Sequence, residues 1–309
     1  MTLPAPGRRA TRTPARGRAV AWQVLAVLIA TPLAVLSVFR AVPVEWPTPV
    51  VQLLAFTPWL VLPAVVAVLS ALLSRRRRLQ AGTAALLAVQ LFWLLPLDSG
   101  RGAPAGGAPG VELTVMTINS EFGKADAAEI VRLVRDNGVG LLAVQEHTQA
   151  LDDRLEAEGL ASLLPHRSSH PANGAAGSAL YSIHPLRLVD TVPDSPFQMP
   201  RVRLTLDAAG QPAALDVTNV HAQPPVDGRV RQWRNDLAAI GRLATGPGNL
   251  LLMGDFNATY DHSEFRRLLD GGAGGGAEGT KLVDVGTAEG SRLVPTWPKD
   301  GQALPGIVI

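Results

Sequence analysis

The hydrophobic pattern of the chain changes character near residue 110. Before that point apolar residues run unbroken: Val20–Phe39 (20 residues), Val50–Leu73 (24) and Leu79–Leu97 (19) contain no charge. At about 1.5 Å per helical residue, each run can cross a hydrocarbon core about 30 Å thick. Pro58 and Pro63 interrupt the second run, as neighbouring helices in a membrane allow, and the third carries a Phe92-Trp93 pair suited to an interface. Three such runs with short polar breaks predict three transmembrane helices over 20–97, rather than core helices of a soluble protein or a cleaved signal peptide. Gly100–Gly110, rich in Gly and Pro and without an apolar period, reads as a flexible linker over 98–110.

From Val111 the pattern becomes short apolar runs alternating with helix-period segments. Strands are predicted at Val111–Asn119, Leu141–Gln145, Ser178–Ile183, Val202–Leu206, Ala213–Val220 and Asn249–Gly254. Ala125–Asp136 sets Ile130, Val131, Leu133 and Val134 on one helical face and stops at Asn137-Gly138, and Val226–Leu243 reads as a second helix. This alternation predicts an α/β domain over 111–309, with sheets covered by helices. Gly271–Gly276 reads as a surface loop.

Charge divides the chain at the same place. Residues 1–110 carry eleven Arg against Glu45 and Asp98, whereas the remainder carries 17 Lys and Arg against 24 Asp and Glu. The acidic second half lacks the positive field of a non-specific DNA binder. The chain has no Cys, which excludes a disulfide scaffold and thiolate-ligated metal sites. In the first half, Arg8, Arg9, Arg12, Arg16 and Arg18 precede the first run, and Arg75–Arg78 fill the turn between the second and third. The break around Val44-Glu45-Trp46 has no Lys, and its only Arg is Arg40 at the helix edge. The positive-inside bias therefore puts residues 1–19 and the Arg75–Arg78 turn in the cytoplasm and everything after Leu97 on the far side.

Four apolar runs of the second half end in polar residues: Asn119, Glu146, Asn219-Val220-His221 and Gly254-Asp255-Phe256-Asn257. Strand ends are where α/β enzymes assemble sites. Singly, each has a plainer reading: Glu146 as a solvated strand end, His221 as a hydrogen-bonded core histidine, Asp255 as a turn residue. In combination, Gln145-Glu146, Asn219-x-His221 and Leu251-Leu-Met-Gly-Asp-Phe-Asn-Ala-Thr259 resemble the endonuclease/exonuclease/phosphatase (DNase I-like) superfamily over roughly residues 112–309. Arg229-x-x-Gln232 also looks like the helix that follows the His strand in that family.

The resemblance implies a sandwich of two sheets with helices on both outer faces and Mg²⁺-dependent phosphoester hydrolysis, with Mn²⁺ as a substitute ion. It implies that Glu146 holds the metal with Asn119 beside it. Asp255 then orients or deprotonates the attacking water, Asn257 donates to a phosphoryl oxygen, and His221 donates to the phosphate in the transition state. Such chemistry builds charge on phosphoryl oxygens, which a hard cation and fixed donors offset.

In the family a further Asp-His precedes a closing strand. The chain stops after Leu304–Ile309, where those residues are expected, so it reads as a fragment or a truncated form. The reading predicts little activity for these 309 residues, and turnover on appending a strand that begins Asp-His. Asp261-His262 is a poor substitute, since Asp261 or Ser263 reads as the N-cap of a following helix. His166, His170 and His184 read as loop residues, Trp233 as packed, and Arg201 and Arg203 as one solvated strand face. The expected function is a membrane-anchored, outward-facing phosphoesterase acting on nucleic acid, a lipid headgroup or a small phosphorylated metabolite. The alternative is a catalytically impaired or non-catalytic binding module on the same fold. No protein partner is implied.

Overall fold

The computed structural model describes residues 14–95, 111–208, 210–246, 248–271, 281–298 and 306–308. The expected linker over 98–110 and most of the Gly271–Gly276 run lie outside them. The chain divides into two compact units, one of Met1–Pro43 with Phe56–Leu97 and one of Val44–Ala55 with Asp98–Ile309. The helices before residue 97 are α1 (Pro14–Ala41), α2 (Thr48–Leu54), α3 (Val61–Ser74, after a 3-10 turn at Thr57–Leu60) and α4 (Arg77–Leu94).

In the first unit, α4 is tied to α1 by Gln90 Nε2 donating to Ser37 Oγ at 2.8 Å and by the Arg40 guanidinium over the Trp93 ring. Among the described residues two stretches, not three, are by themselves long and apolar enough to cross a membrane: Gly17–Ala41 (mean hydropathy 2.2) and Thr57–Ser74 (1.9). This corrects the expectation of three. The third run does fold as the 18-residue α4, but that helix begins inside the arginine turn with Arg77 and Arg78 and carries Gln80 and Gln90, which dilute its hydropathy.

The second unit contains, in order, β1 (Val115–Asn119), α5 (Ala127–Asp136), β2 (Leu141–Gln145), α6 (Gln149–Ala157), α7 (Leu160–Leu163), β3 (His166–His170), β4 (Ser178–Ser182), β5 (Leu186–Thr191), β6 (Pro200–Ala208), β7 (Gln211–His221), α8 (Val230–Arg242), β8 (Asn249–Asp255), α9 (Ser263–Leu269) and α10 (Val285–Ala288). The strands form two four-stranded sheets, ordered β1-β2-β4-β3 and β5-β6-β7-β8. β1 runs parallel to β2, and β7 parallel to β8; the other pairings are antiparallel.

Three apolar clusters give the layers. Leu141, Ala143 and Leu180 of one sheet meet Val202, Leu204, Val217 and Met253 of the other, so the sheets pack face to face. Leu142, Val144 and Tyr181 face Ile130, Val131 and Val134 of α5 and Leu151 and Leu155 of α6. Val220 and Ala222 lie in a cluster with Trp233, Leu237 and Ile240 of α8, Leu268 of α9 and Val51 of α2. Helices thus cover both outer faces of the sandwich, which explains why β2 and β4 are buried at every position.

α5 starts where the Asp126 side chain caps the Ala128 and Glu129 amides. α9 has His262 at its N-cap position with no side-chain cap, so neither Asp261 nor Ser263 caps it as expected. His166 and His170 lie on strand β3, not in a loop. Arg201 and Arg203 share the outward face of β6, as expected, and there each forks onto a carboxylate, Asp190 and Asp216 respectively.

Candidate active site

The two parallel strand pairs bring the polar strand ends together. In β7 and β8 the register sets His221 opposite Asp255 and Val220 opposite Gly254. Gly254 has φ +137°, and a Cβ there would lie 2.1 Å from the Val220 carbonyl oxygen, so only glycine lets the strands close at this point. In the other sheet Asn119 pairs with Gln145 at the ends of β1 and β2.

The chain turns sharply after Gln145. Glu146 sits in the left-handed region at φ +56°, which costs a non-glycine residue about 1–2 kcal/mol. Its surroundings hold it there. Ser120 Oγ donates toward the Gln145 and Glu146 carbonyls, both at 2.9 Å, and the His147 amide donates to Gly177 O at 3.0 Å. A Cβ on Gly177 would meet the His147 carbonyl oxygen at 2.0 Å. The kink aims the Glu146 carboxylate at its partners: Oε2 accepts from the Phe122 amide at 2.7 Å and Oε1 from Asn119 Nδ2 at 3.1 Å.

Asn119 links the two sheets, because the same Nδ2 also donates to Asp255 Oδ2 at 3.0 Å. Asp255 Oδ1 accepts from the Asn257 amide at 2.8 Å, and Asn257 Nδ2 donates to Ala222 O at 2.8 Å. Asn257 is also left-handed, at φ +47°. His221 Nε2 lies 3.8 Å from Glu146 Oε1, and its ring stacks on Phe197 with centroids 4.4 Å apart. All five residues singled out in the sequence, Asn119, Glu146, His221, Asp255 and Asn257, therefore lie in one connected cluster.

Burial shapes the electrostatics. The His221 pKa is pushed down to about 4, chiefly by loss of water, with the Glu146 charge and the Ala175 backbone opposing. At neutral pH it is an uncharged imidazole with one N–H to give. Burial pushes the Asp255 carboxyl up from its ordinary value, while the Asn257 amide and Asn119 hold it back. A raised carboxylate is a stronger base toward water.

Among the described residues no group of three or more His, Cys, Asp or Glu side chains is arranged to hold a metal. Mg²⁺ does not need one: it takes one or two carboxylates and keeps several waters. The donor set here is of that kind. The facing carboxylate oxygens of Glu146 and Asp255 both lie within hydrogen-bond reach of one amide nitrogen, hence within about 6 Å of each other. Two anionic groups this close, on oxygen donors alone, fit a hard divalent cation.

Sequence reading missed several supporting residues. Asn219, fully buried, crosses between the sheets: Oδ1 accepts from Gln145 Nε2 at 2.6 Å, and Nδ2 donates to Val144 O and Ala179 O at 3.0 and 2.9 Å. Its motif was visible, but its role as a clamp was not. A second polar nest adjoins Glu146. There Asp152 Oδ1 accepts from Tyr181 OH at 2.6 Å and lies 3.1 Å from His147 Nε2. Ser169 Oγ approaches that same nitrogen at 3.2 Å, so Ser169, His147 and Asp152 are not a relay through opposite sides of the imidazole. His262 takes no place in the cluster, being bound to the Thr259 amide and the Val51 carbonyl. Trp233 is fully buried, as expected.

The Endonuclease/Exonuclease/phosphatase family model matches residues 116–306. Similar solved structures include a β-hairpin deletion mutant of beta toxin from Staphylococcus aureus (12% identity, 52% of this chain and 72% of that one, TM-score 0.39). Sphingomyelinase C from Streptomyces griseocarneus (16%, 53% and 70%, 0.37) and an AP endonuclease from Archaeoglobus fulgidus (12%, 52% and 70%, 0.39) are also similar. No curated protein sequence matches. The family match covers more than half of the chain, including every member of the polar cluster, and on that basis the chain belongs to the Endonuclease/Exonuclease/phosphatase family.

Proposed function

We propose that this protein is a membrane-anchored, outward-facing, metal-dependent phosphoesterase. One observation carries the reading: a single amide, Asn119, bridges the carboxylates of Glu146 and Asp255, with His221 beside them. Glu146, assisted by Asn119, would hold Mg²⁺ or Mn²⁺, and the ion when bound supplies positive charge for the phosphoryl oxygens. The chain's own groups do the rest. Asp255, its base strength raised by burial and its Oδ1 fixed by the Asn257 amide, orients and deprotonates a water. The neutral His221 donates its N–H to a phosphoryl oxygen, an interaction strengthened by exclusion of water. Asn257, already locked onto Ala222 O, has a second N–H for the same purpose.

The two apolar helices support the anchoring and the arginine distribution supports a cytoplasmic N-terminus; the outward orientation needs an odd number of crossings, with α4 as the third. A binding module that kept the fold without catalysis is the competing reading. Release of p-nitrophenol from bis-p-nitrophenyl phosphate decides between them, measured with Mg²⁺ and with EDTA. It is run on this chain and on one extended by a strand beginning Asp-His. Metal-dependent release that disappears in Glu146→Ala and His221→Ala supports the enzyme; no release from either form with any metal overturns it. Sphingomyelin, nucleic acid and inositol phosphates then separate the substrate classes.

A further inference from the structure

The segment Val44–Ala55, which includes the first six residues of the second apolar run, is built into the second unit. Val51 of α2 is 1% exposed and lies in the apolar cluster with Val220, Trp233, Ile240 and Leu268, and Trp46 packs against the same cluster. The polar contacts are as specific. Arg234 donates through Nη2 to the Trp46 carbonyl and through Nε to Glu264 Oε1 at 2.9 Å. Gln52 Nε2 donates to Pro225 O at 3.2 Å, four residues beyond His221.

His262 joins this segment to the catalytic turn. Its Nδ1 accepts from the Thr259 amide at 2.9 Å, so Nε2 carries the proton and donates to Val51 O at 2.8 Å. Thr259 lies two residues past Asn257. We propose that Val44–Ala55 is a docked positioning element of the phosphoesterase site, acting on the Asp255–Thr259 turn through His262 as a positioning residue.

The docking has a topological consequence, which rests on the membrane reading above. A segment packed into a domain lies on the same side of the bilayer as that domain. Residues 56–97 must then cross an even number of times. If Thr57–Ser74 spans, α4 spans as well, despite its arginines and glutamines.

The chain has no Cys, so single cysteines report cleanly. Full-length Glu45→Cys and Arg231→Cys chains are treated in intact cells with a membrane-impermeant maleimide. The inference expects both to be labelled or both protected, and labelling of one alone overturns it. Both protected would leave the docking standing and overturn only the outward orientation.

Docking itself is read by bis-maleimide cross-linking of Gln52→Cys with Pro225→Cys, followed by cleavage at a protease site inserted within 98–110. Fragments that stay joined support it; fragments that separate overturn it. For the positioning role, His262→Leu should lower kcat at least tenfold with KM within threefold. His262→Gln, which can accept and donate at the same two places, should restore most of the loss. A folded His262→Leu with unchanged kcat, or a Gln variant no better than Leu, would overturn that role, and the cross-link decides the docking even if the chain hydrolyses nothing.

Discussion

Removing the Asn219 side chain isolates what holds the two sheets in register beneath the site. In Asn219→Ala, Gln145 Nε2 loses an acceptor, and the Val144 and Ala179 carbonyls each lose a donor. All three groups are buried, and a stranded buried polar group costs about 1–3 kcal/mol. The two carbonyls belong to paired strands and Gln145 Nε2 keeps Thr117 Oγ1, so the low end applies, giving about 3 kcal/mol in all. For a unit of this size that corresponds to a fall in Tm of roughly 6–12 °C. Thermal melts of the full chain in detergent, followed by near-ultraviolet circular dichroism, would measure it. Asn219→Asp separates hydrogen bonding from cavity formation: it keeps the volume but turns a carboxylate oxygen toward two carbonyls, and should be worse than Ala at neutral pH. A shift under about 2 °C for Ala, or an Asp variant as stable as the parent, would refute the cross-sheet clamp.

Gly254→Ala should destabilise by at least about 2 kcal/mol, since the new Cβ meets backbone rather than a movable side chain; a melt indistinguishable from the parent would contradict the β7–β8 register. Glu146→Gln should lower hydrolysis of a chromogenic diester by at least about 10²-fold, because it keeps the size of the side chain and removes the charge that would hold the ion. A Gln variant with parental turnover would contradict a metal-holding role. Acidification should weaken the fold through His262. Its pKa lies below the ordinary histidine value because it is buried, opposed by the Val51 carbonyl and by Glu264 and Asp261. Below about pH 6.5 the unfolded chain takes up a proton that the folded ring refuses, so stability falls by up to about 1.4 kcal/mol per pH unit. His147 and His221 are displaced the same way, so His262→Gln should make the decline shallower without abolishing it, checked by melts at pH 7 and pH 5.

What the sequence revealed of the fold follows the physics of burial. β2 is wholly apolar up to Gln145, and β7 and β8 end apolar runs at His221 and Asp255, so their existence was legible. β3 was not. Among the described residues His166-Arg-Ser-Ser-His170 pairs with β4 alone, as an edge strand, and its polar residues show no alternation. β5, an edge strand of the other sheet, has no fully buried position and escaped as well. α4 was read as a span because uncharged length was counted from Leu79, whereas the helix starts two residues earlier on arginine.

The candidate site was legible as a set of strand-end residue types but not as a network. Nothing local in Asn119 announces that it meets Asp255, 136 residues away. Distance along the chain also hid the role of Val44–Ala55, whose partners lie 173 to 211 residues on. Asp261 and Ser263 read as caps of the helix that follows, which left His262 without a structural role. Its hydrogen bond to the Val51 carbonyl and its edge contact with the Trp233 ring exist only once the domain is assembled.

The central claim is that Glu146, reached through a strained turn, and Asp255, on the other sheet, share one divalent-cation site. Electron paramagnetic resonance of free Mn²⁺ titrated with the full chain tests it most directly. The account predicts that the aqueous Mn²⁺ signal falls as the parent chain is added, and that Glu146→Gln leaves it nearly unchanged at the same concentration. A Glu146→Gln chain that quenches the signal as strongly as the parent would place the ion elsewhere and contradict the account.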